Sequence, residues 1–357
     1  GASRYTARIV AQRHAFPSPA AALSMTIDLH CHYVPAGLAE ALRGRTEPPF
    51  IEPAPEGGER FVMPIGSLPF TEAYVDMDQR LDFMDDHGVD LQLLSFPGLF
   101  GRDSLPAAES APLLRLFNDD LAALCARHPG RFLGLAALPF ADMDLAVAEL
   151  RRGVTELGLA GAILPVNGLV TAEHAAAFAP LFAAADALGA HLFVHPGRRP
   201  DEVPPPGAPP APPPDQAIAR RALEVQHRVA HAMVTLLFTD VLDPYPDVSV
   251  HVANLGGTLP MVIERMDHVA ETRAPDTPLF TSRARRLHVD CSSLGPHAIE
   301  IAASVFGHDR LVMGTDCPIF RTDWTLRAIA AARLTDAERA AIRHDNAAKL
   351  LARFLNA

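Results

Sequence analysis

Stacking aromatics are scarce in this chain: its 357 residues include one Trp and four Tyr. A platform for stacking sugars or nucleobases is therefore not indicated. Excess positive charge is also missing. The net charge of −11 argues against a nucleic-acid partner, which requires a basic surface to displace counterions. It leaves the charge of a substrate open, because that depends on the pocket alone. No apolar run reaches the length needed to cross a membrane, so no membrane partner is expected. The four cysteines, Cys31, Cys125, Cys291 and Cys317, form no C-x-x-C pair. That pattern fits a reduced, cytoplasmic protein better than a disulfide scaffold. What remains is ordinary globular composition, 49% hydrophobic and 20% charged, at a length that allows one large α/β domain or two smaller ones.

Residues 1–24 precede Met25, are basic and poor in acids, and have no long apolar core. They read as a cloning remnant plus a loosely held leader, a transit peptide being the weaker alternative, with Met25 as the natural start. One domain is then expected over 25–357. Within it, short apolar runs alternate with amphipathic ones. The runs "SMTIDLHCH", "VDLQLLSF", "RFLGLAALP", "AGAILPV", "AHLFVHP", "DVSVHVANL", "RRLHVDCSS" and "DRLVMGTDCP" are strand candidates. Patterns such as "YVDMDQRLDFMDDH" and "DLAVAELRRGVTEL" between them read as helices. Eight βα units predict a parallel (β/α)₈ TIM barrel, with the site at the C-terminal strand ends. Two stretches break the pattern. Residues 44–70 carry little helical period, and residues 200–214, "PDEVPPPGAPPAPPP", are proline-rich. Both read as surface insertions at the C-terminal face, a lid over the site being the sharper alternative.

The strand tips are polar. His30 and His32 close the first run, His195 the fifth, Asn254 the sixth and Asp316 the eighth. Side chains at i and i+2 of a strand share a face, so His30-x-His32 aims two imidazoles at one point. Closing the barrel would bring His195 and Asp316 to them. Three imidazoles and one carboxylate suit a divalent metal, Zn²⁺ first, with Mn²⁺ or Fe²⁺ as alternatives. Cys31 and Cys317 fall on opposite faces from the ligands beside them. Asp28 shares the face of His30 and His32 by alternation and reads as a supporting group.

These pieces carry a resemblance. "DLHCHYVP", "RLDFMDDHGVDLQLLS", "FNDDLAALCARHPGRFLGLAALP", "LFVHPG", "NLGGTLP" with its following Arg, "FGHDRLVMGTDCP" and "DNAAKLL" run in order from about residue 26 to residue 355. The chain resembles the amidohydrolase-2 family, the branch with aminocarboxymuconate-semialdehyde and resorcylate-type decarboxylases. The resemblance implies a (β/α)₈ barrel holding one divalent ion on His30, His32, His195 and Asp316, and it leaves a homodimer open. With no lysine at the end of "AGAILPVN", a carboxylated-lysine binuclear centre is not expected. One departure stands out. Many members carry a histidine acting as acid/base or substrate-polarising group two residues before the Gly-Gly, where this chain has Asn254, which cannot exchange a proton near neutral pH. His251, three residues earlier, points to the other face by alternation, and only a bulge would re-aim it into the site.

Two reaction types fit these ligands. In non-oxidative decarboxylation of a small aromatic or unsaturated carboxylic acid, the metal orients the carboxylate and accepts charge while an acid protonates carbon. In hydrolysis of a lactone or amide, or in hydration, a metal-activated water attacks while Asp316 takes a proton. Family frequency favours the first. A barrel that binds a ligand without catalysis is the third reading, supported by Asn254 alone. Arg265 and Arg198 are candidate carboxylate clamps, Arg199 a further one, and His231, four residues after His227, a candidate substrate contact. Asn118 reads as structural.

Overall fold

A computed structural model of the chain describes residues 25–355 apart from 56, 64–65, 99–104 and 204–214. The expected leader and most of the proline-rich stretch lie outside the described residues. Strand β1 (Ile27–His32) is followed by a three-stranded antiparallel sheet of β2 (Phe50–Pro53), β3 (Glu59–Val62) and β4 (Ser67–Phe70). Seven strands in one parallel sheet with β1 come next: β5 (Leu91–Ser95), β6 (Phe132–Ala136), β7 (Gly161–Pro165), β8 (His191–His195), β9 (Ser249–Val252), β10 (His288–Asp290) and β11 (Leu311–Val312). Each falls inside one of the eight apolar runs, and their spatial order follows the chain. Helices fill the gaps, so this is the (β/α)₈ barrel that the alternation predicted. The ring shuts where the segment after β11 returns to β1. Leu29 N donates to Met313 O at 2.9 Å, His32 N to Cys317 O at 2.7 Å, and Asp316 N to His30 O at 2.7 Å.

Local chemistry sets the helix limits. Helix Met77–His87 starts at Asp76, whose carboxylate accepts from Gln79 N, and stops at Gly88 in the left-handed region. Helix Met143–Thr155 starts in the same way at Asp142. Each such cap contributes about 1 kcal/mol. The strands are buried on both faces, as a sheet wrapped in helices requires. Leu29, Leu93, Leu135, Ile163, Phe193 and Val312 belong to one buried cluster drawn from six strands.

Residues 44–70, expected as an insertion with little helical period, contain the β2–β4 sheet. Ile51 opposes Phe61, and Phe61 opposes Leu68. Ile51 and Phe61 are buried while Glu52 and Arg60 pair on the other face. Strands of four residues with prolines and glycines between them give too short an alternation to read. No helix among the described residues is long and apolar enough to cross a membrane.

Candidate metal centre

The alternation that aims His30 and His32 together is local to them. The β1–β5 register shifts between Asp28 and Cys31, so a bulge separates Asp28 from the histidines. Asp28 consequently grips the opposite wall. Its carboxylate accepts from Thr315 N at 3.0 Å and Thr315 Oγ1 at 2.6 Å, and Cys31 Sγ lies 3.7 Å from that hydroxyl. Asp28 is thus a supporting group, as expected, but on the Cys31 side. It pins the loop that carries Asp316.

His30, His32, His195 and Asp316 converge, each offering one ligand atom, all within 4.8 Å of one another. All four residues are buried, Asp316 being the most exposed at 8%. The Nε2 atoms of His30 and His32, Nδ1 of His195 and Oδ1 of Asp316 are buried without a hydrogen bond. Buried polar atoms are almost always satisfied. Four unsatisfied donors of this chemistry in one spot fit a divalent cation. The outer nitrogens of two ligands are fixed. His30 Nδ1 lies 3.0 Å from Asp290 Oδ2, and His32 Nδ1 lies 3.2 Å from Ser95 Oγ. An ionised carboxylate only accepts, so a neutral, metal-binding His30 would carry its proton on Nδ1 and turn the Nε2 lone pair to the site.

The electrostatics agree. Burial opposes a charge on His30, yet the carboxylates of Asp290 and Asp316 push its pKa up to about 10. Burial likewise opposes ionisation of Asp316, but His30 and His32 hold its carboxyl well below the usual range. Burial lowers His32 and His195. The group therefore favours one positive charge among its members, a proton or a metal ion. The chain's one lysine, Lys349, lies on helix Asn346–Leu350, so no carboxylated lysine bridges the ligands.

Backbone shape delivers these groups. Asp316, Asn254, Leu255 and Ser293 all have positive φ, at 60°, 58°, 53° and 56°, a strained region for non-glycine residues that clusters at functional sites. Gly314 lets the chain pass close: a Cβ there would lie 2.8 Å from the Cβ atoms of both His30 and Asp290. Gly257 of the Gly-Gly motif has φ +67° and would put a Cβ 2.1 Å from Gln226 O. That motif docks the β9 loop onto helix Ala217–Phe238.

Asp290 escaped the sequence reading. Its Oδ1 accepts from Asn254 N at 3.2 Å and Ser292 N at 2.9 Å, while Oδ2 accepts from His30. The one available signal was its place at the tip of the run "RRLHVDCSS", equivalent to those of the other ligands. Arg80 was missed too. It is 3% exposed and donates to Gln92 Oε1, to His32 O and to Ala73 O, bracing the end of β1. Asn118 is structural, its amide bonding both backbone groups of Ala137.

Other expectations need correction. Asn254 lies beside the centre, but its Oδ1 accepts from Ser292 Oγ at 2.7 Å, so the amide is engaged in holding the loop. His251 does face the barrel axis, contrary to alternation counted back from Asn254. Asn254 lies beyond β9 in a left-handed turn, so that count does not apply. His251 is fully buried below the ligands and reaches Asp290 Oδ2 at 3.8 Å, not the mouth. Arg265 is exposed, because its helix buries Leu259, Ile263 and Ala270 on the other side. His231 is exposed for the same reason, opposite the buried stripe of Val229, Ala232, Met233 and Leu236. Arg199 is engaged with Asp201 and Asn167 O. Arg198 is half-buried and lines a cavity of about 1040 Å³ whose wall includes Pro196 and Gly197, directly after His195. The four ligands do not line that cavity themselves. It adjoins them through the β8 loop, and β4 residues Ser67 and Leu68 also line it.

An amidohydrolase family model matches residues 27–353. The chain belongs to this family. It is 29% identical over 300 residues to gamma-resorcylate decarboxylase of Rhizobium radiobacter, covering 76% of this chain and 86% of that protein. It is 27% identical over 252 residues to 2-amino-3-carboxymuconate-6-semialdehyde decarboxylase of Dictyostelium discoideum, covering 68% and 67%. The structure of a Polaromonas dihydroxybenzoic acid decarboxylase with bound manganese and the inhibitor 2-nitroresorcinol superposes with a TM-score of 0.67. It is 22% identical and covers 94% of this chain and 98% of that one. The family expected from the ordered motifs is therefore the one found.

Beneath the ligands, burial pushes the His191 pKa down to about 3 and lowers His251 well below its ordinary value. Unfolded imidazoles titrate near 6.5, so between those values the unfolded chain binds more protons. The contribution of these two histidines to stability is then fully present above about pH 6.5 and falls as the pH drops, opposite in sign to that of His30. His191 alone should cost about 2 kcal/mol at pH 5. Urea unfolding at pH 7 and pH 5 should show a smaller pH difference in His191→Gln than in the natural chain.

Proposed function

We propose that this chain is a metal-dependent non-oxidative decarboxylase of a small aromatic or unsaturated carboxylic acid. The carrying observation is the set of four buried, unsatisfied donor atoms at the C-terminal strand ends, in a chain similar to two decarboxylases. Three imidazoles and a carboxylate favour Zn²⁺, and the manganese in the Polaromonas structure supports Mn²⁺ as the alternative. A divalent ion on His30, His32, His195 and Asp316 would orient the substrate carboxylate and stabilise charge developing on its oxygens.

The remaining work falls to the chain. The carbon–carboxylate bond breaks, its electron pair stays on carbon, CO₂ leaves, and carbon takes one proton. Asp316 is the titratable ligand most open to the mouth, and it passes to the carbon a proton taken from solvent water there, the hydroxide left behind combining with the released CO₂ as bicarbonate. Held as the anion, it relays a proton and does not store one. Asn254, engaged with Ser292, holds the loop beside the ligands and exchanges no proton. Arg198, partly desolvated at the cavity wall, binds an anionic group of the substrate through its planar fork.

The reading is tested by measuring CO₂ over a panel of hydroxybenzoates, muconates and lactones. Release of CO₂ from an acid supports it, and opening of a lactone with no CO₂ reverses it in favour of hydrolysis. Arg198→Met should raise KM for the best acid about tenfold or more, the worth of a lost charge-assisted hydrogen bond, with a smaller change in kcat, as steady-state kinetics will show.

A further inference from the structure

A column of side chains continues down the barrel axis below the ligands, and the proposed reaction uses none of it directly. Phe193 pairs in register with His251, and His191 with Ser249, so all four share the inward face with His195. His191 Nε2 lies 2.7 Å from His251 Nδ1, and His191 Nδ1 lies 2.8 Å from Ser249 Oγ. His251 stacks flat on Phe193, centroids 4.1 Å apart and planes 7° apart. Phe193 meets the rings of His30 and His195 edge-on at 4.7 and 5.3 Å. The remaining nitrogen, His251 Nε2, is buried without a hydrogen bond. It points toward Asp290 Oδ2 at 3.8 Å, the oxygen that accepts from His30.

One proton lies between the two lower histidines, and its direction decides what Asp290 meets. Suppose that His191 donates to Ser249. Then His191 Nε2 must accept from His251, and a bare lone pair of His251 faces the carboxylate. If Ser249 donates instead, His191 Nε2–H donates to His251 Nδ1, and His251 Nε2–H faces Asp290. The second polarity puts a positive N–H edge against a buried anion and is favoured electrostatically. At 3.8 Å this is an oriented dipole and not a hydrogen bond.

We infer that His251, locked in this tautomer by His191 and Ser249, is a positioning residue for the metal centre. It supports the ligand rings through Phe193 and holds the charge on Asp290 that orients His30. This rests on the four-residue metal site of the proposed function, and it concerns how tightly that site holds its ion.

The test is the affinity of the full-length protein for Zn²⁺, measured by chelator competition, together with the visible spectrum of the Co²⁺-loaded form. His251→Phe keeps a ring on Phe193 but removes the N–H and the partner of His191. Its Zn²⁺ dissociation constant should rise about tenfold or more, the usual range for groups behind a ligand, and its Co²⁺ spectrum should shift. His251→Gln, which can still offer an amide N–H, should recover part of the loss. A folded His251→Phe protein with the natural affinity and spectrum would overturn the inference. If that variant does not fold, His191→Phe, which removes only the lock, is read by the same two measurements and the same outcomes. Failure of the natural protein to bind a stoichiometric ion would instead sink the metal site itself.

Discussion

Asp316→Asn protein should fold, lose its divalent ion on dialysis and fall in activity by about a thousandfold or more. The size follows from the several kcal/mol that a bound cation supplies to charge stabilisation, combined with the loss of the one ligand that carries a negative charge. Asparagine is the right replacement for a structural reason. Asp316 has φ of 60°, a conformation that Asn adopts readily and that costs alanine about 1 kcal/mol or more. The amide can still fill the space beside His30 and His32, which lie 3.5 and 3.0 Å from Oδ1. Elemental analysis after dialysis and CO₂ release at saturating acid give the result. Stoichiometric metal in the variant would remove Asp316 from the ligand set.

Asp290→Asn is expected to weaken metal binding about a hundredfold while leaving the barrel folded, although Asp290 touches no ion. The Oδ1 position accepts from Asn254 N and Ser292 N, and the amide oxygen of the variant keeps that place. Its NH₂ then faces His30 Nδ1, where the carboxylate now accepts at 3.0 Å. Two donors cannot meet there. His30 must turn its proton onto Nε2, the atom that faces the site, and a protonated nitrogen cannot bind a cation. Chelator competition for Zn²⁺ measures the loss, and thermal unfolding checks the fold. An unchanged dissociation constant would mean that Asp290 does not set the tautomer of His30.

Much of this was legible beforehand. The eight strands could be read because each is a short apolar run and strand periodicity is a local property. The four side chains that converge could be read as candidate ligands because His30-x-His32 needs only one strand, and because His195 and Asp316 sit at the tips of equally clear runs. The β2–β4 sheet could not, since four-residue strands broken by Pro and Gly carry almost no period. Arg265 is a candidate from its place after the Gly-Gly and His231 from its spacing to His227, and neither position says which way a helix turns. The buried stripes of their helices turn both outward.

By itself, then, the sequence determined the barrel, its strand order and the residue types able to hold a cation, all of which follow from alternation within single elements. Tertiary structure decided what surrounds those groups. Asp290 reaches His30 across 260 residues, a separation that no periodicity encodes. The bulge after Asp28 and the left-handed turns at Asn254 and Asp316 reset which face each neighbouring side chain takes, so alternation fails at the strand ends where the chemistry sits. Closing the ring of strands is what turns those reset faces into contacts.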